Sequence, residues 1–262
     1  MNLPVEVIEA VRNGKCVVFL GNRATLEAAE LADAVFPEQK DLAKELGWKK
    51  PIVPGNKQKG ILPSVELGAS LFAAANGRDA LLALVRARVG GEAIPPTSAH
   101  TAIVKRFPLV FTTNFDDLLE RAGTASGVPV DVIGRSSLIP ASQAGRCTLV
   151  RMRGALSQPE TAMVTREDYF RVPIPAETKK QLRTLVRQHV VWFVGFRPDE
   201  EEFERVFAEL SDAYGGELPR CHLAVAQGTI DDYQWQKWVW RGLLMFTADP
   251  AECFVELEAQ LA

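Results

Sequence analysis

The sequence predicts an α/β protein built on a doubly wound parallel sheet of about six strands. Short apolar bursts rich in β-branched and aromatic residues recur along the chain, segments of helical period separate them, and glycine or polar turns follow several bursts. Bursts that are apolar throughout, rather than alternating, suit strands covered by helices on both faces.

A first helix is expected over Val5 to Asn13, where Val7, Ile8, Ala10 and Val11 share a face and Gly14 ends the run. Cys16 to Leu20, bounded by Gly14 and Gly21, reads as a strand buried on both sides, and a helix is expected over Ala24 to Phe36. Between Pro37 and Pro96 the rhythm breaks. Helical patterns at Pro63 to Ala75 and Asp79 to Val89 follow a Pro/Gly/Lys stretch, and no strand is expected. Residues 37–96 therefore read as a helical insertion or subdomain within a single domain spanning 1–262. The alternation then resumes: helix Ser98 to Phe107, burst Pro108 to Thr112, helix Phe115 to Ala122, bursts Val128 to Ile133 and Cys147 to Val150. Helix Glu177 to Gln188, burst Val190 to Val194, helix Asp199 to Tyr214, bursts His222 to Ala226 and Leu243 to Phe246, and helix Pro250 to Leu261 complete it. The acidic run Asp199 to Glu202 falls at a helix start, where the helix dipole favours negative charge. Trp235, Trp238 and Trp240 lie within six residues. Trp235 and Trp238 share a helical face, which favours core packing over a protein interface.

Composition narrows function. With 30 basic and 33 acidic residues and a net charge of -3, no excess of positive charge serves a polyanion, which argues against nucleic-acid binding. The four cysteines lie too far apart for a zinc knuckle, so they are expected to be buried thiols in a reducing cytoplasm and no metal is expected. The start lacks the pattern of a signal peptide and no apolar run reaches the roughly 18 residues that span a bilayer, so a cytoplasmic protein without membrane association is expected. Only three histidines, His100, His189 and His222, are present to act as a general base near neutral pH.

Ligands of open parallel sheets bind beyond the carboxyl ends of the strands. Three such ends carry polar turns. Gly21-Asn22-Arg23-Ala24-Thr25 leads from a strand into a helix, where backbone N–H groups can cradle a phosphate. Thr113-Asn114-Phe115-Asp116 offers hydroxyl, amide and carboxylate groups, although Asn114 or Asp116 also suits a plain helix cap. Gly195-Phe196-Arg197 combines a permissive backbone with a guanidinium suited to phosphate or ribose.

Together, Pro95 to Ile103, Thr112-Thr113-Asn114-Phe115-Asp116, Arg151-Met152-Arg153-Gly154, Val164 to Tyr169 and Trp192 to Asp199 resemble the sirtuin superfamily, most of all its bacterial sirtuin-like branch. The resemblance covers nearly the whole chain. It implies a Rossmann-like domain that binds NAD or an ADP-ribose-like nucleotide, and members cleave the nicotinamide-ribose bond to deacylate lysine or, in bacterial anti-phage systems, to destroy NAD. It carries the catalytic end of the pocket to Asn114 and Asp116, with Gly21, Asn22, Arg23, Thr25, Thr113, Arg153, Gly195, Phe196 and Arg197 as nucleotide contacts.

Three departures matter. Arg23 stands where the family's first loop has a second glycine, Arg153 where it has the catalytic histidine, and Arg197 where it has a serine. Arginine holds its proton up to a pKa above about 12 and cannot serve as the base, which argues against a deacylase. The three arginines either favour an anionic ligand or pair with Asp116, Asp199 or Glu167. The leading expectation is a degenerate, defence-associated sirtuin-like protein that binds a nucleotide with weakened or lost catalysis. The alternatives are an active NAD hydrolase using Asn114 and Asp116, and an interaction module with a protein partner or a second copy of itself.

Overall fold

A computed structural model describes residues 3–24, 65–89, 94–216, 218, 221–225 and 230–261. Along them run α1 (Val5–Arg12), β1 (Cys16–Leu20), α2 (Val65–Asn76), α3 (Arg78–Val89), α4 (Ser98–Arg106), β2 (Leu109–Thr112), α5 (Leu118–Ser126), β3 (Val130–Gly134) and β4 (Cys147–Arg151). Then follow α6 (Arg166–Arg171), α7 (Ala176–Gln188), β5 (Val190–Val194), α8 (Glu201–Tyr214), β6 (Cys221–Val225), α9 (Asp232–Trp240), β7 (Leu243–Thr247) and α10 (Pro250–Leu261).

The strands form one sheet in the order β3-β4-β2-β1-β5-β6-β7, and every pairing is parallel. Each of the seven apolar bursts is a strand, so the sheet has seven strands rather than about six. The five inner strands are buried at every residue, while β3 and β7, at the edges, are buried only in part. Alternate side chains divide between two cores. Cys16, Val18 and Leu20 of β1 pack with Ile103 and Phe107 of α4 and Phe254 of α10, whereas Val17 and Phe19 pack with Leu182 of α7, Phe203 of α8 and Trp238 of α9. Register places Phe111, Phe19 and Phe193 side by side on three neighbouring strands, with Phe19 stacked on Phe111 at 4.4 Å between centroids. Truncating Phe19 to alanine is expected to cost about 3–5 kcal/mol in chemical denaturation, the usual range for a fully buried phenylalanine.

The expected helix over Ala24 to Phe36 lies outside the described residues apart from Ala24. Within the 37–96 stretch, residues 65–89 form α2 and α3. Ala69, Leu81, Leu82 and Val85 there pack against Leu156, Ala162 and Val164 from the segment after β4. Trp238 is fully buried and its Nε1 donates to the Pro198 carbonyl, so α9 braces the turn after β5, while Trp240 is exposed. The four cysteines are unbridged and buried. No described helix is long and apolar enough to cross a membrane.

His100 has a local structural task. It is the third residue of α4, and its Nδ1 accepts from the Thr97 backbone N–H at 3.2 Å while the Thr97 hydroxyl caps the helix start. Burial lowers its pKa from the ordinary 6.5 to about 4. The fold therefore favours the neutral ring. The contribution is complete above pH 6.5 and is lost as pH falls from there to about 4, a window worth about 3 kcal/mol. His100→Gln, which keeps an acceptor without the titration, is expected to remove that part of the acid sensitivity in denaturation at pH 7 and pH 4.5.

Candidate functional site

The carboxyl ends of β5, β1, β2 and β4 stand side by side, and their loops hold the residues singled out in the sequence. At the centre, β1 and β5 are stitched beyond their last paired residues. Gly21 N–H donates to the Val194 carbonyl at 2.9 Å and Arg23 N–H to the Gly195 carbonyl at 3.0 Å. The two glycines make this approach possible. A Cβ on Gly21 would stand 2.5 Å from the Gly195 carbonyl oxygen; Gly195 has φ +78°, and a Cβ there would stand 2.7 Å from the Ala24 nitrogen. The Arg23 N–H, one of those expected to cradle a phosphate, is thus spent on the neighbouring loop. Asn22 is half-buried, with its side-chain oxygen shielded, and Phe196 is buried against Phe193 and Phe203. Thr25 lies outside the described residues.

Arg197 holds Asp199 in a bidentate grip, at 2.9 and 2.8 Å, with Glu200 at 3.6 Å. This is one of the pairings expected from sequence. Glu200 holds the N-cap position of α8 without a capping hydrogen bond from its side chain, and burial raises its pKa to about 7; Glu202 and Asp199 add to the rise, and Arg197 and Arg23 oppose it.

The loop after β2 is shaped from below. Thr113 N–H continues the sheet to the Leu20 carbonyl, and the Thr112 hydroxyl accepts from Asn114 N–H at 3.0 Å. The Asp116 carboxylate accepts from Leu118 N–H at 3.1 Å, so it caps a helix that begins three residues later than the periodicity predicts. Arg151, the buried last residue of β4, donates to the Asn114 carbonyl at 3.0 Å and the Asp116 carbonyl at 2.6 Å, and is salt-bridged to Glu120. One guanidinium therefore fixes both backbone positions that carry the candidate catalytic side chains. Asp116 opens onto a cavity of about 650 Å³ beyond the ends of β2, β4 and β3, lined also by Phe115, Glu120, Arg151 and Leu156.

Arg153 occupies the place expected to hold an imidazole. Its Nη1 donates to Glu202 at 2.6 Å, its Nε donates to the Met163 carbonyl at 3.2 Å, and its guanidinium lies over the Phe115 ring at 4.8 Å. Burial alone would lower its pKa, but the fields of Tyr169, Glu202 and Glu66 outweigh it and hold the group above the ordinary arginine range. The partner expected from sequence was Asp116, Asp199 or Glu167. Glu202 replaces them because α8 brings it, 3% exposed, to the Arg153 guanidinium over the Phe115 ring, while Glu167 accepts from the Ser70 hydroxyl at 2.6 Å. Behind this pair, Arg205 meets Glu66 at 3.4 Å and Glu201 at 3.1 Å and stacks on Tyr169 at 3.9 Å. Arginines and glutamates from three segments, the loop after β4, α2 and α8, thus balance each other.

The predicted residues fall into two groups. Gly21, Asn22, Arg23, Gly195, Phe196 and Arg197 gather at the β1/β5 crevice; Thr113, Asn114, Asp116 and Arg153 gather over β2 and β4. Sequence reading missed Arg151 as a clamp, and it missed the Glu66, Glu202, Tyr169 and Arg205 cluster. The usable signals were a charge closing a buried strand and a four-acid run richer than one helix start needs. Among the described residues no cluster of three or more His, Cys, Asp or Glu side chains can hold a metal.

No curated protein matches the chain. The family profile of the SIR2-like domain matches residues 108–241, a little over half of the chain and the part that contains β2 to α9 with the Asn114, Arg153 and Gly195 loops. The chain belongs to the SIR2-like domain family.

Proposed function

We propose that this SIR2-like protein binds NAD or an ADP-ribose-like nucleotide at the carboxyl ends of β1 and β5 and has lost the proton-transfer chemistry of a deacylase. The observation that carries the second half is Arg153: a buried guanidinium, ion-paired to Glu202, stands where a general base is needed, and it cannot accept a proton near neutral pH. The first half is supported by the meeting of two strand-end loops between β1 and β5, the point where the chain reverses its direction of travel across the sheet and where nucleotides bind in such folds.

The residues present fit the adenosine-diphosphate half of NAD. Arg23 and Arg197 bring positive charge for phosphates, and Asp199, which Arg197 holds in the ligand-free protein, becomes available to a ribose hydroxyl when Arg197 turns to a phosphate. The nicotinamide-riboside half fits less well, because the Arg153–Glu202 pair fills the space over the Phe115 ring, one residue from Asp116. When bound, NAD would supply a glycosidic bond that leaves as nicotinamide. This chain's own part is to hold the diphosphate and, through Arg151, to fix the Asn114 and Asp116 loop. The anti-phage setting implied by the resemblance, and cytoplasmic residence, belong to the same reading.

Titration calorimetry of the folded chain with NAD and with ADP-ribose tests it. Saturable binding of both, with nicotinamide release at the buffer rate, is the expected result, and absence of binding to either overturns it. Arg197→Ala is expected to weaken binding about 10- to 100-fold, the loss of one charge-assisted contact of roughly 1.5–3 kcal/mol.

A further inference from the structure

The Arg153–Glu202 pair joins two points that the sheet keeps apart. Arg153 follows β4 and Glu202 opens α8 after β5, and between β4 and β5 stand β2 and β1. Three strand spacings amount to about 14 Å. The two side chains close that gap over the Phe115 ring at the end of β2, with 2.6 Å between guanidinium and carboxylate. The link is held from both sides: the Met163 carbonyl takes Nε, and Glu66 of α2 and Arg205 of α8 complete the charge balance. Exposures of 11% and 3% leave little room for solvent to loosen it. Gly21 and Gly195 follow β1 and β5, at one end of the span, while Asp116 and its cavity lie beyond the ends of β2, β4 and β3, at the other.

We infer that this ion pair is a bar across the nucleotide site, so that the crevice recognises a ligand only as far as its phosphates, the size of a nucleoside diphosphate. The inference rests on the nucleotide reading given above and names the part of the ligand that the protein grips. A dinucleotide binds through its adenosine-diphosphate half, and its nicotinamide riboside, kept from Asp116, adds nothing to affinity. The chemistry of the crevice agrees: Arg197, now paired with Asp199 and Glu200 in the loop after β5, can exchange a carboxylate for a phosphate and release that carboxylate to a sugar hydroxyl.

The test is calorimetric titration of the full chain with ADP and with NAD, repeated on Arg153→Met/Glu202→Met, which removes both charges together and leaves the Arg205–Glu66 pair intact. In the wild type, ADP and NAD are expected to bind within threefold of each other. In the double variant NAD is expected to gain at least tenfold over ADP. NAD binding tenfold or more tighter than ADP in the wild type overturns the bar, as does an unchanged ratio in a folded double variant. If the double variant does not fold, the wild-type ratio alone decides. Failure of both ligands to bind the wild type overturns the nucleotide reading itself, and the bar with it.

Discussion

Replacing Arg153 with alanine is expected to destabilise the protein by about 3–5 kcal/mol, because it leaves Glu202, 3% exposed, without its partner in a site that also holds Glu66. Burial already pushes the Glu202 carboxyl above its ordinary range against the pull of Arg153. Without Arg153 the carboxyl takes up a proton or drags water inward, and either response costs stability. Replacing both members with methionine is expected to be close to neutral, since the desolvation cost of two charges disappears together with their attraction. Urea denaturation of the single and double variants at pH 7 separates the cases. Equal losses in both would mean that the pair is not the element that matters.

Gly195→Ala is the second large effect. The residue sits at φ +78°, where a side chain costs about 1–3 kcal/mol, and its Cβ would lie 2.7 Å from the Ala24 nitrogen and 3.0 Å from the Gly21 carbonyl oxygen, both backbone atoms that cannot swing away. A total loss of about 2–5 kcal/mol is expected, together with loss of nucleotide binding, because the β1 and β5 loops must part to admit the methyl. The same substitution at Gly127, whose Cβ would meet nothing within 4 Å, is the control for conformational strain without a clash. A Gly195→Ala protein as stable as the Gly127→Ala protein would contradict the close packing of the two loops.

Much of the fold is legible because the code that specifies it is local. Cys16 to Leu20 and Val190 to Val194 are apolar at every position, and only strands covered on both faces call for that. The glycine and polar turns after β1, β2 and β5 mark strand ends, and a parallel sheet puts those ends together without further information. What remained hidden depends on distances across the sheet. Nothing near Arg153 in sequence names Glu202, 49 residues away, because their meeting depends on the order of β4, β2, β1 and β5. Arg151 was likewise hidden: as the last residue of a strand it resembles an ordinary exposed terminus, and its role emerges only where the loop after β2 folds over it. The helix at Leu118 begins late for a local reason. The Asp116 side chain caps from two residues ahead, and the periodicity of Phe115 to Ala122 cannot distinguish that from a helix already under way.

The most direct test of a nucleotide site between β1 and β5 is amide hydrogen exchange of the full chain with and without saturating ADP-ribose. Protection is predicted at residues 21–23 and 195–200, on the two loops that meet at Gly21 and Gly195, with little change on the β7 edge. Unchanged exchange at both loops, or protection confined to another part of the molecule, would contradict it.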